Sequence, residues 1–108
     1  FTCLGADVKI EEGASVEGPC FIDVGTVVKA GARIRPYSVI GRNSVVEEDA
    51  EIDGAIVWPN ARVSRDAVVR SAILGRHCHV GRDVVIDRGV ILGDKSSVTD
   101  HSRLAAAQ

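Results

Sequence analysis

Leu74-Gly-Arg-His-Cys-His-Val-Gly-Arg-Asp-Val-Val-Ile-Asp-Arg-Gly-Val-Ile91 repeats one six-residue pattern three times without a break. Leu74, Val80 and Ile86 stand six apart, and four residues after each comes a compact apolar residue: Cys78, Val84 and Val90. An amphipathic helix repeats at about 3.6 residues and a half-buried strand at about two. A period of six fits neither; it requires the chain to turn after every short strand. Eighteen such residues complete one triangular turn of a solenoid.

The register extends in both directions. An aliphatic column runs Leu4, Ile10, Val16, Ile22, Val28, Ile34, Ile40, Val46, Ile52, Val57, Val63, Val69, Leu74, Val80, Ile86, Leu92, Val98 and Leu104, every member Leu, Ile or Val. Two steps are five residues long, Ile52 to Val57 and Val69 to Leu74. Taken in threes, the column gives six coils beginning at residues 4, 22, 40, 57, 74 and 92, with the short steps closing successive coils. Their sequences, Ile52-Asp-Gly-Ala-Ile-Val and Val69-Arg-Ser-Ala-Ile-Leu, are alike, so the shortened corners should stack.

Three residues after the column, at twelve of seventeen places, stands Gly, Asn, Asp or His: Asp7, Gly13, Gly25, Gly31, Asn43, Asp49, Asn60, Asp66, His77, Asp83, Gly89 and His101. These types tolerate the positive φ that a sharp turn needs. Four of the five exceptions, Pro19, Tyr37, Ala55 and Ala72, fall in the third hexad of a coil, which predicts that one corner is built differently. The next position is usually small, as at Ala14, Thr26, Ala32, Ser44, Ala50 and Ala67. Small inward side chains at the corners leave room for the aliphatic column. No coil can bury its interior alone, so stability comes from stacking neighbours. At about 4.8 Å per coil the six coils make a rod of roughly 29 Å.

At 108 residues the chain is one domain's worth of sequence, 45% hydrophobic and only 4% aromatic, as a core of small aliphatics requires. No apolar run approaches the ~18 residues of a membrane span. Three widely spaced cysteines, Cys3, Cys20 and Cys78, argue against a secreted disulfide scaffold and for a cytoplasmic location. Residues 1–54 hold five basic and ten acidic side chains and residues 55–108 hold eight and five, so the halves carry −5 and +3. Neither half has the dense basic stripe of a nucleic-acid binder. The chain has no methionine and begins Phe1-Thr2-Cys3, an unexpected natural start, so a piece of a longer protein is expected.

These hexads, Ile40-Gly41-Arg42-Asn43-Ser44-Val45 the cleanest among them, resemble the hexapeptide repeats of left-handed parallel β-helices. The left hand is implied by that resemblance alone, since the general rule for crossovers favours the right. Gly18-Pro19-Cys20-Phe21-Ile22, Arg35-Pro36-Tyr37-Ser38-Val39-Ile40-Gly41 and Asp53-Gly54-Ala55-Ile56-Val57-Trp58 are similar to the C-terminal domain of sugar-nucleotide pyrophosphorylases, the mannose-1-phosphate guanylyltransferase and glucose-1-phosphate nucleotidyltransferase branch. The column gives about six triangular coils over residues 1–104, with a tail at 105–108 expected to leave the coil as a helix, and the resemblance implies that these coils form an all-β left-handed parallel β-helix. It further implies a non-catalytic assembly and regulatory domain whose partners are its own N-terminal catalytic domain and further copies of itself. In that family the separate domain holds the phosphates of a nucleoside triphosphate through a Gly-rich loop and a lysine and binds Mg²⁺ through carboxylates. No such motif stands here: Val24-Gly25-Thr26-Val27-Val28 is a plain hexad turn, so this stretch is expected to supply no catalytic, cofactor-binding or metal-binding residue.

Outward residues are then the candidates for contact. Trp58 shares a column with Gly5, Asp23, Gly41, Gly75 and Gly93, which projects its ring beside glycines on a flat face, where tryptophan is a common anchor. Tyr37 is a weaker candidate, since as a turn residue it is expected first to pack its corner. Arg65 stacks above Arg82 in a column with Glu12, Ala30, Glu48 and Asp100; a solvated face is the first expectation for this like-charged pair, and a site for an anion or a partner's carboxylate is the alternative. Glu11, Lys29 and Glu47 form another charged column. The alternative function is a hexapeptide-repeat acyltransferase using acetyl-CoA at a trimer groove, with a histidine as general base. Against it, every coil is seventeen or eighteen residues with no excursion, and His77 and His101 occupy ordinary turn positions. A zinc site needs three converging histidines; His77 and His79 make only an i, i+2 pair, with His101 at no coil repeat from either. Cys20 and Cys78 fall in the inward small-residue column, as buried thiols.

Overall fold

The computed structural model of the chain describes residues 2–105. Among these residues lie eighteen strands of two or three residues and no helix. The first coil contributes β1 (Thr2–Leu4), β2 (Lys9–Ile10) and β3 (Ser15–Val16), one to each of three six-stranded sheets, and each later coil adds one strand to each sheet in turn. All pairings are parallel. The product is a triangular β-solenoid of six coils, 36 × 22 × 19 Å overall. The tail expected at 105–108 lies outside the described residues from position 106 onward.

The aliphatic column sets the register residue for residue. In the first sheet Leu4 pairs with Ile22, Ile22 with Ile40, Ile40 with Val57, Val57 with Leu74 and Leu74 with Leu92. These are the coil starts expected above, and the two shortened corners do stack, with Asp53 beside Arg70. The core is what a column of Leu, Ile and Val makes when each layer lies on the next. From Ile22 to Ile86 every column residue is at most 2% exposed. At the ends a coil has a neighbour on one side only, so Leu4 is 48% and Ile10 is 38% exposed.

The turns follow one rule. Positive φ occurs three residues before each column position, at sixteen of the seventeen corners. The seventeenth is Pro19, whose ring excludes positive φ and which follows a cis Gly18–Pro19 bond. All twelve turn residues expected from the sequence adopt the left-handed conformation, joined by Tyr37 and Lys95. At the shortened corners the positive φ falls on Gly54 and Ser71, one residue earlier than the forward count placed it. Ala55 and Ala72 are not turn residues: they are the small inward residues, 0% and 3% exposed. The missing residue is lost ahead of the turn, and the order turn, small, outward, inward is kept.

The small inward residues also bond. Thr26 Oγ1 donates to the Gly41 carbonyl at 2.8 Å, Ser44 Oγ to the Trp58 carbonyl at 3.4 Å, and the Cys78 thiol to the Gly93 carbonyl at 3.1 Å. Each ties a corner to the coil above it. Among the described residues no buried side-chain nitrogen or oxygen lacks a partner, so the corners carry no desolvation penalty.

Candidate interaction surface

Each sheet shows the residue before the column on its outer face, because strand side chains alternate sides. On the second sheet that outer row reads Lys9, Val27, Val45, Arg62, His79 and Ser97; on the third it reads Ser15, Arg33, Glu51, Val68, Val85 and Arg103. Both rows mix charge with Val. The first sheet differs: its outer row is Cys3, Phe21, Val39, Ile56, Ile73 and Ile91, with no polar or charged side chain in six coils. Phe21, Val39 and Ile56 are each about four-tenths exposed and Ile91 is 72% exposed. An unbroken apolar row open to solvent along one face of a rod is the mark of an interaction surface.

The row after the column completes this face. It is mostly glycine, because the winding brings the next coil's backbone close there. A Cβ on Gly41 would sit 2.5 Å from the Pro59 nitrogen, and one on Gly75 would sit 2.7 Å from the Asp94 nitrogen. The face is therefore flat, and Trp58 stands on it, 48% exposed, as expected from its glycine neighbours. The Arg76 guanidinium lies over the indole, 6.0 Å from the ring centroid, and also bonds Asp94 at 3.3 Å. Trp58 lines a shallow apolar groove with Phe21, Val39 and Ile56. Tyr37 lines a second groove on the same face with Cys3, Phe21 and Val39. At 76% exposed, Tyr37 is not packed into its corner.

Arg65 and Arg82 lie elsewhere, at the corner between the second and third sheets, in a polar groove with Asp66, Asp83 and His101. The stack runs as expected, but Arg82 is engaged, its guanidinium holding Asp100 through two bonds of 3.0 and 3.2 Å. Asp100 also accepts from the Arg82 backbone N–H, and these bonds hold its carboxyl below the ordinary range. Asp94 is lowered for the same first reason, the backbone N–H of Arg76. In the column of Glu11, Lys29 and Glu47 the two glutamates find other partners. Glu47 pairs with Arg62, and Glu11 accepts from the Ala30 N–H at 3.1 Å.

The histidines are dispersed. His77 turns from the first sheet to the second, His79 projects from the second and meets Ser64 Oγ at 3.2 Å, and His101 turns toward the third. His101 Nδ1 lies 3.0 Å from Asp83 Oδ2. Cys20 and Cys78 are buried and Cys3 is exposed. Among the described residues no three His, Cys, Asp or Glu side chains converge as metal ligands. None of the described residues forms a helix long and apolar enough to cross a membrane.

The hexad turns, the three parallel sheets and the aliphatic triangular core define a hexapeptide-repeat parallel β-helix. More narrowly, residues 3–104 match the family described as the EIF2B subunit epsilon LbH domain, LbH denoting the left-handed β-helix, and the chain belongs to that family. No curated protein matches the chain by sequence. Among solved structures, a Bacillus cereus protein assigned as an acetyltransferase superposes with a TM-score of 0.64 at 12% identity, over 93% of this chain and 75% of its own. The acetyltransferase domain of PglB from Neisseria gonorrhoeae gives 0.64 at 19%, over 92% of this chain and 49% of that one. The same domain in complex with acetyl coenzyme A gives 0.51 at 21%, over 89% and 53%. The chain thus spans about half the Neisseria domain, and at these identities the likeness is one of fold.

Proposed function

We propose that this β-helix is the non-catalytic assembly and regulatory domain of a sugar-phosphate nucleotidyltransferase, acting in the cytoplasm, with its catalytic domain contributed by residues outside this stretch. The observation that carries the reading is the apolar outer row from Cys3 to Ile91 on one sheet of three, in a chain of the EIF2B epsilon β-helix family. Such a face is a docking device rather than a reaction site, since its outer row is apolar from Cys3 to Ile91 and its grooves are shallow. The exposed aliphatics of the first coil, Leu4 and Ile10, offer a second surface, which we assign to the catalytic domain. That domain would supply the magnesium and nucleoside triphosphate chemistry; the residues described here would hold and orient it. Isolating the endogenous polypeptide tests this. A mass several times 11.4 kDa, with magnesium-dependent formation of a nucleotide-sugar from a sugar 1-phosphate, is the expected result. A native product of 11.4 kDa without that activity overturns the reading.

One observation favours a second reading, an acyltransferase using acetyl-CoA. His101 lies against Asp83 within a groove that also carries Arg65, a histidine–carboxylate pair beside a cation suited to phosphate. Titration with acetyl-CoA separates the two: saturable binding lost in Arg65→Ala supports the second, and no binding leaves the first.

A further inference from the structure

We infer that the outer face of the first sheet is an antiparallel two-fold interface with a second copy of this chain. The inference rests on the reading of the domain as an assembly module and names its partner and geometry.

Shape and size come first. Six coils at about 4.8 Å give the sheet roughly 29 Å along the stack, and the rod is at most 22 Å wide. A face of those dimensions offers roughly 640 Å² per copy, within the range of about 600–1,000 Å² per partner in specific complexes. The glycines of the row after the column leave the face flat, and an identical rod covers it from end to end. A two-fold interface is self-complementary by construction, which an all-apolar row satisfies at every position.

Charge sets the direction. Residues 1–54 carry −5 and residues 55–108 carry +3. Two copies running the same way would place the acidic halves together and the basic halves together. Reversed copies place each acidic half against a basic one, which is the complementary arrangement. A two-fold axis lying in the face, between the third and fourth coils, makes that reversal. Val39 then meets the partner's Ile56, Phe21 meets the partner's Ile73, and Cys3 meets the partner's Ile91. Asp23, the one acidic member of the glycine row, comes opposite the coil that holds Arg76.

The native thiol makes the arrangement testable. Cys3 is exposed on this face, and Ile91 lies five coils away in the same chain, so a bond between positions 3 and 91 can form only between copies. The chain is expected to sediment as a dimer of twice 11.4 kDa. Under mild oxidation Ile91→Cys is expected to give a covalent dimer, reversed by reductant, while the unsubstituted chain gives none. Ile56→Glu is expected to weaken association about a hundredfold or more, since it places a charge in the desolvated centre, and circular dichroism reports whether the coil persists. Should that variant unfold, the cross-link decides alone. Oxidation of the unsubstituted chain to a dimer through Cys3 means parallel copies and overturns the inference, as does a monomer or a trimer. A trimer that also binds acetyl-CoA overturns the assembly-domain reading as well; a monomer or parallel dimer that binds none overturns the interface alone.

Discussion

Replacing Ile40 by Ala should cost far more than replacing Ile10 by Ala, though both belong to one aliphatic column. Ile40 is fully buried between Ile22 and Val57 in adjacent coils, and the layers are fixed by backbone bonds of 2.9 Å from Asp23 to the Ile40 carbonyl and 2.7 Å from Gly41 to the Val57 carbonyl. Removing three carbons forfeits about 2.4 kcal/mol of transfer energy at about 0.8 kcal/mol each. A laddered backbone cannot sink into the void, so roughly 80 Å³ remains, worth about 2 kcal/mol more at ~24 cal/mol per Å³. The loss at Ile40 is therefore about 4 kcal/mol. Ile10 stacks on Val28 alone and is 38% exposed, so part of the transfer energy applies and no closed cavity forms, about 1.5 kcal/mol. Urea unfolding followed by circular dichroism, with the midpoint shift read at unchanged slope, gives both numbers. Equal losses within about 0.5 kcal/mol would show that the layers relax around a void and refute the rigid-stack argument.

Lys95 holds φ at 63° without a side chain suited to it, so Lys95→Asn should stabilise the chain by about 0.5–1 kcal/mol in thermal unfolding. Gly41→Ala should cost about 2 kcal/mol or more, because its Cβ would press on the Pro59 and Trp58 backbone, whereas Gly93→Ala meets nothing within 4 Å and should be neutral or slightly stabilising. Asp100 is held below its unfolded-state pKa, so its contribution is present above that value and is lost as pH falls through the folded one. Carboxyl NMR should show it titrating below the ordinary aspartate range, and Asp100→Asn should flatten the acid limb of stability; an ordinary titration would refute the Arg82 clamp.

The inward half of each hexad was legible because it has one solution. A triangular core admits only compact aliphatics in the column and small residues beside the corner, and the left-handed turn selects Gly, Asn, Asp and His. Tyr37 and Lys95 escaped that reading because neither favours positive φ; stacking imposes it, as the Lys95 N–H donates to the Arg76 carbonyl at 2.7 Å. Ala55 and Ala72 were misplaced by counting forward across a five-residue step. Counting back three from the following column residue places sixteen of the seventeen turns, all but that at Pro19, because packing fixes the residues that enter a strand and lets a deletion fall before the turn. The charged columns misled for another reason. Long side chains reach sideways as well as along the stack, so Glu47 meets Arg62 rather than Lys29.

The outward half obeys no such constraint, and that is why it carries function. Any residue compatible with a strand can stand before the column, so its identity reports what lies outside. Read singly, Phe21, Val39 and Ile56 are ordinary strand residues, and the eye goes to Trp58. Read sheet by sheet, Lys9, Arg62 and His79 on the second face and Arg33, Glu51 and Arg103 on the third are polar or charged, while the outer row of the first is apolar throughout. Coil stability is satisfied from within and gains nothing from six apolar residues facing water, which lower solubility instead. A row that the fold does not require and solvent disfavours is the one to match against another surface, and the second copy inferred above has its length and its flatness.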